Sequence, residues 1–128
     1  KFGEYKVQGR SPESAKRLID DAVALQDAGA YALVLELVPS KLAKIITDKL
    51  TIPTIGIGAG PDCDGQVLVF HDLVGLTKGF KHSRRYANLD QDIKSAVTQY
   101  IFDVQHGTFP SDSESFAVDD SVIQSVNE

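Results

Sequence analysis

Glu36 stands in the run "YALVLELVP", Tyr31 to Pro39, where a leucine would pack without the desolvation cost that a charge carries. A carboxylate kept there is a candidate acid/base group. It is equally an acid that bends from a strand end to pair with a loop lysine, because structural ion pairs also place acids at such positions. Further along, "GIGAG" (Gly56 to Gly60) lacks the spacing and the following helix start of a dinucleotide fingerprint, so close backbone packing or a ligand-accommodating turn is favoured over phosphate binding. Asp62 and Asp64 have the chemistry of metal ligands, and in a Pro/Gly turn also that of turn formers. His71 and Asp72 are a possible acid/base pair, but neighbours on a strand point to opposite faces, which favours capping. Lys78, Lys81, His82, Arg84 and Arg85 read as a solvated loop or as an attractor for an anionic ligand.

The elements that must position these groups are those of one soluble domain. The chain has 128 residues, 42% hydrophobic and 24% charged, with a net charge of −5, far from a disordered composition. The acidic balance argues against nucleic acid as the main partner. One cysteine, Cys63, cannot form an intramolecular disulfide, and no signal peptide or bilayer-length apolar run is present, so a reducing cytoplasm is expected and a membrane is not. Methionine is absent, position 1 included, and the opening "KFGEYKVQGR" is loop-like, so the chain is expected to be trimmed or to begin inside a longer protein.

Ser11 caps and Pro12 opens a helix whose apolar positions are Ala15, Leu18, Ile19, Ala22 and Val23, with Gly29 as its stop. Tyr31 to Val38 then reads as a strand buried on both faces of a parallel sheet, and Ser40 to Leu50 as a second helix. "PTIGIGA" is the next strand. The run "QVLVFHD" is either a short strand or turns into helix around His71. A long helix follows from Leu89 to Gln105, ended by Gly107. Ala117 to Glu128 is acidic and sparse in apolar residues, which predicts a flexible tail. This order predicts an α/β fold with parallel pairing.

Alternation assigns faces. Leu33, Leu35 and Leu37 share one side of the first strand, and Ala32, Val34 and Glu36 the other; in the second, Ile55 and Ile57 oppose Thr54, Gly56 and Gly58. The bulky side suits covering helices. The side of small residues would be a ligand-holding interior, with Glu36 projecting into a cavity kept open by Gly56 and Gly58.

"GEYKVQGRS", "ALVLELVP", "IPTIGIGAGPDCDGQVLVFHDLVGL" and "RRYANL" together resemble the ketopantoate hydroxymethyltransferase family, whose members are also called 3-methyl-2-oxobutanoate hydroxymethyltransferases, over about Gly3 to Phe116. The resemblance implies a (β/α)8 TIM barrel, of which residues 1–116 supply the C-terminal portion, since such a barrel needs about 250 residues. It implies an enzyme of pantothenate and coenzyme A biosynthesis, expected to be a homo-oligomer. The family removes a proton from the branched carbon of 2-oxoisovalerate, stabilises the enolate on Mg²⁺ and adds it to the one-carbon unit of 5,10-methylenetetrahydrofolate, giving ketopantoate. The family's acid/base glutamate falls on Glu36. A base for a carbon acid works best partly withdrawn from water. The Mg²⁺ ligands and main ketoacid contacts of the family lie in its N-terminal half, so no residue here is assigned to metal. One departure is Glu114 in "SESF", where family members commonly have histidine, followed by an unusual extension to Glu128. The competing reading is a free-standing small α/β module that holds an anion with the GIGAG turn and the basic loop, Glu36 being structural; the fragment by itself is expected to be inactive.

Overall fold

Ser11 accepts a hydrogen bond from the Ser14 backbone N–H (3.2 Å), and the Ser14 hydroxyl is bonded in return by the Ser11 N–H (3.0 Å). This reciprocal cap, with Pro12 in the first turn, starts helix α1, Pro12–Asp27. The computed structural model describes residues 6–126. The loop-like reading of residues 1–5 and the last two residues of the tail lie outside that range, and residues 6–10 form no regular element. The chain divides into two compact units, Lys1–Ala87 and Asn88–Glu128.

The first unit continues with β1 (Leu33–Glu36), α2 (Ser40–Lys49), β2 (Thr54–Ile57), β3 (Gly65–Gln66) and α3 (Phe70–Leu73). Its strands form a sheet in the order β1-β2-β3, parallel throughout. The fold of this unit is thus α/β, as the alternation of elements predicts. The strands are shorter than the apolar runs, because the backbone takes a positive φ directly after each, at Leu37 past β1 and at Gly58 past β2. The run after Gly65 resolves into both alternatives: pairing stops at Gln66 and a helical turn begins at Phe70.

Leu35 from β1, Leu42, Ala43 and Ile46 from α2, Ala22 from α1, and Val38 and Ala59 form the buried core. Burying one such aliphatic side chain stabilises by roughly 1.5–3 kcal/mol. Thr54 is wholly buried and polar, and its hydroxyl is therefore obliged to find partners. It meets the Thr47 hydroxyl of α2 at 2.8 Å and donates to Asp64 Oδ2 (3.1 Å), which also accepts from the Thr54 N–H at 2.8 Å. Asp64 is thereby a clamp between β2 and the turn that follows it.

In the second unit α4 spans Leu89–Gln105, as expected, with Asp90 and Asp92 in its first turn where the helix dipole favours acids. Gly107 follows with a φ of 68° and turns the chain back, and Phe109 then packs edge-on against Tyr100 (5.5 Å). Ile93, Val97, Tyr100, Ile101 and Val104 lie exposed along α4. Glu114 closes a 3₁₀ turn, Asp112–Glu114, by accepting from the Ser111 N–H (2.8 Å) and hydroxyl (2.7 Å). Those Ser111 bonds hold its carboxyl below the usual range. Within the segment expected to be a flexible tail, Asp120–Val126 forms helix α5; Ser121 satisfies the Asp119 carboxylate through its N–H and hydroxyl, which starts that turn. Among the described residues no helix is long and apolar enough to cross a membrane.

Removing the Asp64 carboxylate should leave the buried Thr54 N–H unpaired, so Asp64→Ala is expected to cost about 1–3 kcal/mol in denaturant unfolding of the complete protein. Among the described residues β1 has a partner on one side only, and Val34 on its uncovered face is 58% exposed. Open parallel edges beside exposed apolar residues are association sites. The isolated 128-residue chain is therefore expected to self-associate in sedimentation experiments; a compact monomer with a sharp near-UV spectrum and cooperative unfolding would contradict this.

Candidate functional site

β1 and β2 pair with Leu33 opposite Thr54, Val34 opposite Ile55, Leu35 opposite Gly56 and Glu36 opposite Ile57. Partners in a parallel ladder point to the same face. Leu35, Thr54 and Gly56 thus face the helices and are buried, while Val34 and Glu36 lie with Ile55 and Ile57 on the face turned away from them. This corrects the expected lining. Gly56 does not hold open a cavity before Glu36: a side chain there would meet Cys63 Sγ at 3.0 Å and the Gln66 amide at 3.1 Å, on the helix side. The physical reason is register, which places the small residues of β2 under α2 and leaves the isoleucines beside the carboxylate.

Gly58 lies past the end of β2, with φ at 65°. A Cβ on it would stand 3.0 Å from Leu37 Cδ2 and 3.1 Å from His82 Cγ. Its bareness therefore admits neighbouring side chains. Leu37, which follows Glu36 directly, has a φ of 53°, an unfavourable conformation for a residue with a side chain. It is held there by two bonds, its N–H donating to the Ile57 carbonyl (3.0 Å) and its own carbonyl accepting from Gln8 N–H (2.9 Å). Backbone strain immediately after the carboxylate re-aims the chain at the carboxyl end of β1.

Glu36 itself is exposed, and among the described residues no hydrogen bond or ion pair holds its carboxylate. A groove of about 270 Å³ runs beside it, lined by Leu18, Ala22 and Leu25 of α1 and by Leu33, Val34 and Glu36 of β1. Since successive strand residues from both faces border it, the groove lies along the free edge of β1.

The remaining candidates separate. Gly60 brings the GIGAG turn onto the start of α2, where a Cβ would fall 2.3 Å from Ser40 Cβ; close backbone packing accounts for it. Asp64 is occupied by Thr54, and Asp62 is exposed in the same turn. Asp72 is buried and accepts from the Thr77 hydroxyl, while His71 is exposed and edge-on to Phe70, so the two do not form an acid/base pair. Lys78, Lys81, His82, Arg84 and Arg85 are all exposed. His82 stacks on Phe80 at 5.5 Å and abuts Gly58, a contact that residue types and spacing do not signal. The hydroxyl of Thr54 was likewise missed, its only trace being a polar residue at the head of an apolar strand.

The profile of the ketopantoate hydroxymethyltransferase family matches residues 1–112. The chain belongs to that family. It is 51% identical over 125 residues to the 3-methyl-2-oxobutanoate hydroxymethyltransferase of Clostridium botulinum (strain Alaska E43 / Type E3), covering 96% of this chain and 46% of that relative. Over 128 residues it is 51% identical to the enzyme of that name from Acetivibrio thermocellus, covering 98% of this chain and 45% of the relative. The counterpart in Roseiflexus sp. (strain RS-1) is 54% identical over 125 residues, again 96% and 45%. The chain thus spans a little under half the length of the curated relatives it matches, corresponding to their C-terminal part. In this member of the ketopantoate hydroxymethyltransferase family, Gly58 is expected to serve the backbone first. Gly58→Val should destabilise by about 1–3 kcal/mol, with Gly58→Ala milder, in chemical denaturation of the complete protein. Unchanged stability with weakened ligand binding would return Gly58 to a pocket-lining role.

Proposed function

We propose that the complete protein carrying this chain transfers the one-carbon unit of 5,10-methylenetetrahydrofolate, as a hydroxymethyl group, to 2-oxoisovalerate, and that Glu36 is its acid/base. The names of its relatives support the acceptor, 3-methyl-2-oxobutanoate being the same compound. The observation that carries the reading is the placement of Glu36 at the carboxyl end of a parallel strand, on the face turned away from the helices and beside Ile57. Ligands of parallel α/β sheets collect at those strand ends.

In this reading the Glu36 carboxylate takes the proton from the branched carbon, and the electron pair of the broken C–H bond passes into the adjacent 2-oxo group. That carbon then bonds to the folate's one-carbon unit, whose two C–N bonds break: the proton taken by Glu36 and one proton from a water molecule go to the two folate nitrogens, the water's hydroxyl stays on the transferred carbon, and tetrahydrofolate leaves. Val34, Ile55 and Ile57 supply an apolar wall beside the carboxylate, and strands from outside this chain would close a (β/α)8 barrel over it. The free edge of β1 supports such closure: Leu33 and Leu37 donate toward β2, so the backbone groups of Val34 and Glu36 point the other way. The described residues do not fit the Mg²⁺ that the family resemblance implies, because no group of three or more histidine, cysteine or acidic side chains is assembled among them. The same reading makes the protein a homo-oligomer of the cytoplasm.

In the complete protein, Glu36→Gln should bind the ketoacid as before yet lose deuterium exchange at its branched carbon by roughly 10²-fold or more, measured by NMR in D₂O. Near-normal exchange would remove Glu36 from the base role and favour the anion-binding module.

A further inference from the structure

The loop after α3 is tied down at both ends and lies against the proposed site. Tyr86 N–H donates to the Leu73 carbonyl at 2.8 Å, the Thr77 hydroxyl donates to buried Asp72, and Arg85 Nη2 donates to the Thr77 carbonyl. Its middle is a tight turn, in which the Phe80 N–H donates to Ser83 Oγ (2.7 Å) and the Ser83 N–H to the Phe80 carbonyl (3.0 Å), with Gly79 at a φ of 72°. The Phe80–His82 stack, 9° from parallel, and the seat of His82 against Gly58 bring this turn to the strand ends where Glu36 stands.

Arg85 is spent on the loop's own backbone. Lys78, Lys81 and Arg84 are exposed and, among the described residues, have no acidic partner, whereas Lys44 and Lys94 are each paired at 2.9 Å with an aspartate one helical turn away. A chain of net charge −5 thus keeps a cluster of unneutralised cations beside its candidate site. Such a cluster draws anions locally, against the overall charge. The ketoacid's single carboxylate travels with the carbon that must meet Glu36, so it has no need of cations spread along a loop. A folate has the complementary shape: its carboxylates lie on a flexible glutamyl end, remote from the one-carbon unit.

We propose that the loop from Lys78 to Arg85 is an anion-binding arm that takes the glutamyl end of the folate co-substrate. The inference rests on the transferase reading above for the identity of the ligand. Lys78, Lys81 and Arg84 pair with the tail's carboxylates, and longer tails gain more pairs.

The test is equilibrium binding to the complete protein of tetrahydrofolate with one glutamate, tetrahydrofolate with five γ-linked glutamates, and a free γ-linked pentaglutamate peptide. The pentaglutamate folate should bind at least about tenfold tighter than the monoglutamate, by the sum of several exposed charge pairs. That preference should shrink as salt screens it, and the peptide alone should bind. Both effects should vanish in the combined variant Lys78→Ala, Lys81→Ala, Arg84→Ala, whose fold is checked by far-UV dichroism. Equal affinity for the two folates, or a preference that survives the variant, would overturn the arm. Ketoacid deuterium exchange, which needs no folate, is followed in parallel. In the unsubstituted protein, no tail preference with exchange intact refutes the arm alone, and a tail preference with exchange absent supports the arm while removing the catalytic reading.

Discussion

The register between β1 and β2 is the constraint on which the rest of this chain depends. With Leu35 opposite Gly56 and Glu36 opposite Ile57, the period of two sends one set of side chains under α1 and α2 and the other set away from them. A slip by one residue would drive the Glu36 charge into the core formed by Leu42, Ala43 and Ile46, and would expose Leu35. Burying an unpaired carboxylate costs several kcal/mol, so the hydrophobic pattern and the position of Glu36 enforce the same register.

Two polar devices hold that register from its ends. At the start of β2, buried Thr54 joins α2 through Thr47 and the following turn through Asp64. At the other end, Leu37 accepts an unfavourable backbone conformation because bonds to Ile57 and Gln8 determine it on both sides. The glycines after β2 complete this end: Gly60 lets the turn touch Ser40, and Gly58 leaves room for Leu37 and His82. Strand ends, strained residue and the His82 turn of the basic loop thereby come together at the end of the sheet that carries Glu36.

What lies uncovered is as informative as the core. The exposed face of Val34 and the free edge of β1 belong to a sheet with room for a further strand, in a chain that matches a little under half the length of its relatives. Within the second unit, α4 carries a comparable exposed apolar stripe. Helices and core account for the local structure of the first unit and helices and turns for that of the second, and the uncovered apolar surfaces account for why more protein is expected around them.

By itself the sequence determined the helices, the parallel α/β order and the family. Ser11, Pro12 and Gly29 bound α1, Leu89 and Gly107 mark the limits of α4, and apolar spacing names the buried side of both α1 and α2, because caps and helical periods are local properties. Glu36 was legible as an acid in an apolar run, and its acid/base assignment came from the resemblance. Tertiary structure alone decided which face of β2 lies beside it: alternation divides a strand into two sides, but only pairing with β1 says which side each becomes. It also decided that Asp64 and Asp72 are structural, that a helical turn rather than more strand follows Gln66, that Asp120–Val126 is helical, and that His82 reaches Gly58. The roles of Asp64 and His82 rest on contacts between residues distant in the chain and that of Asp72 on a side-chain hydrogen bond, which residue type and spacing leave undetermined, while the two helical segments rest on local backbone bonds that their apolar pattern left open.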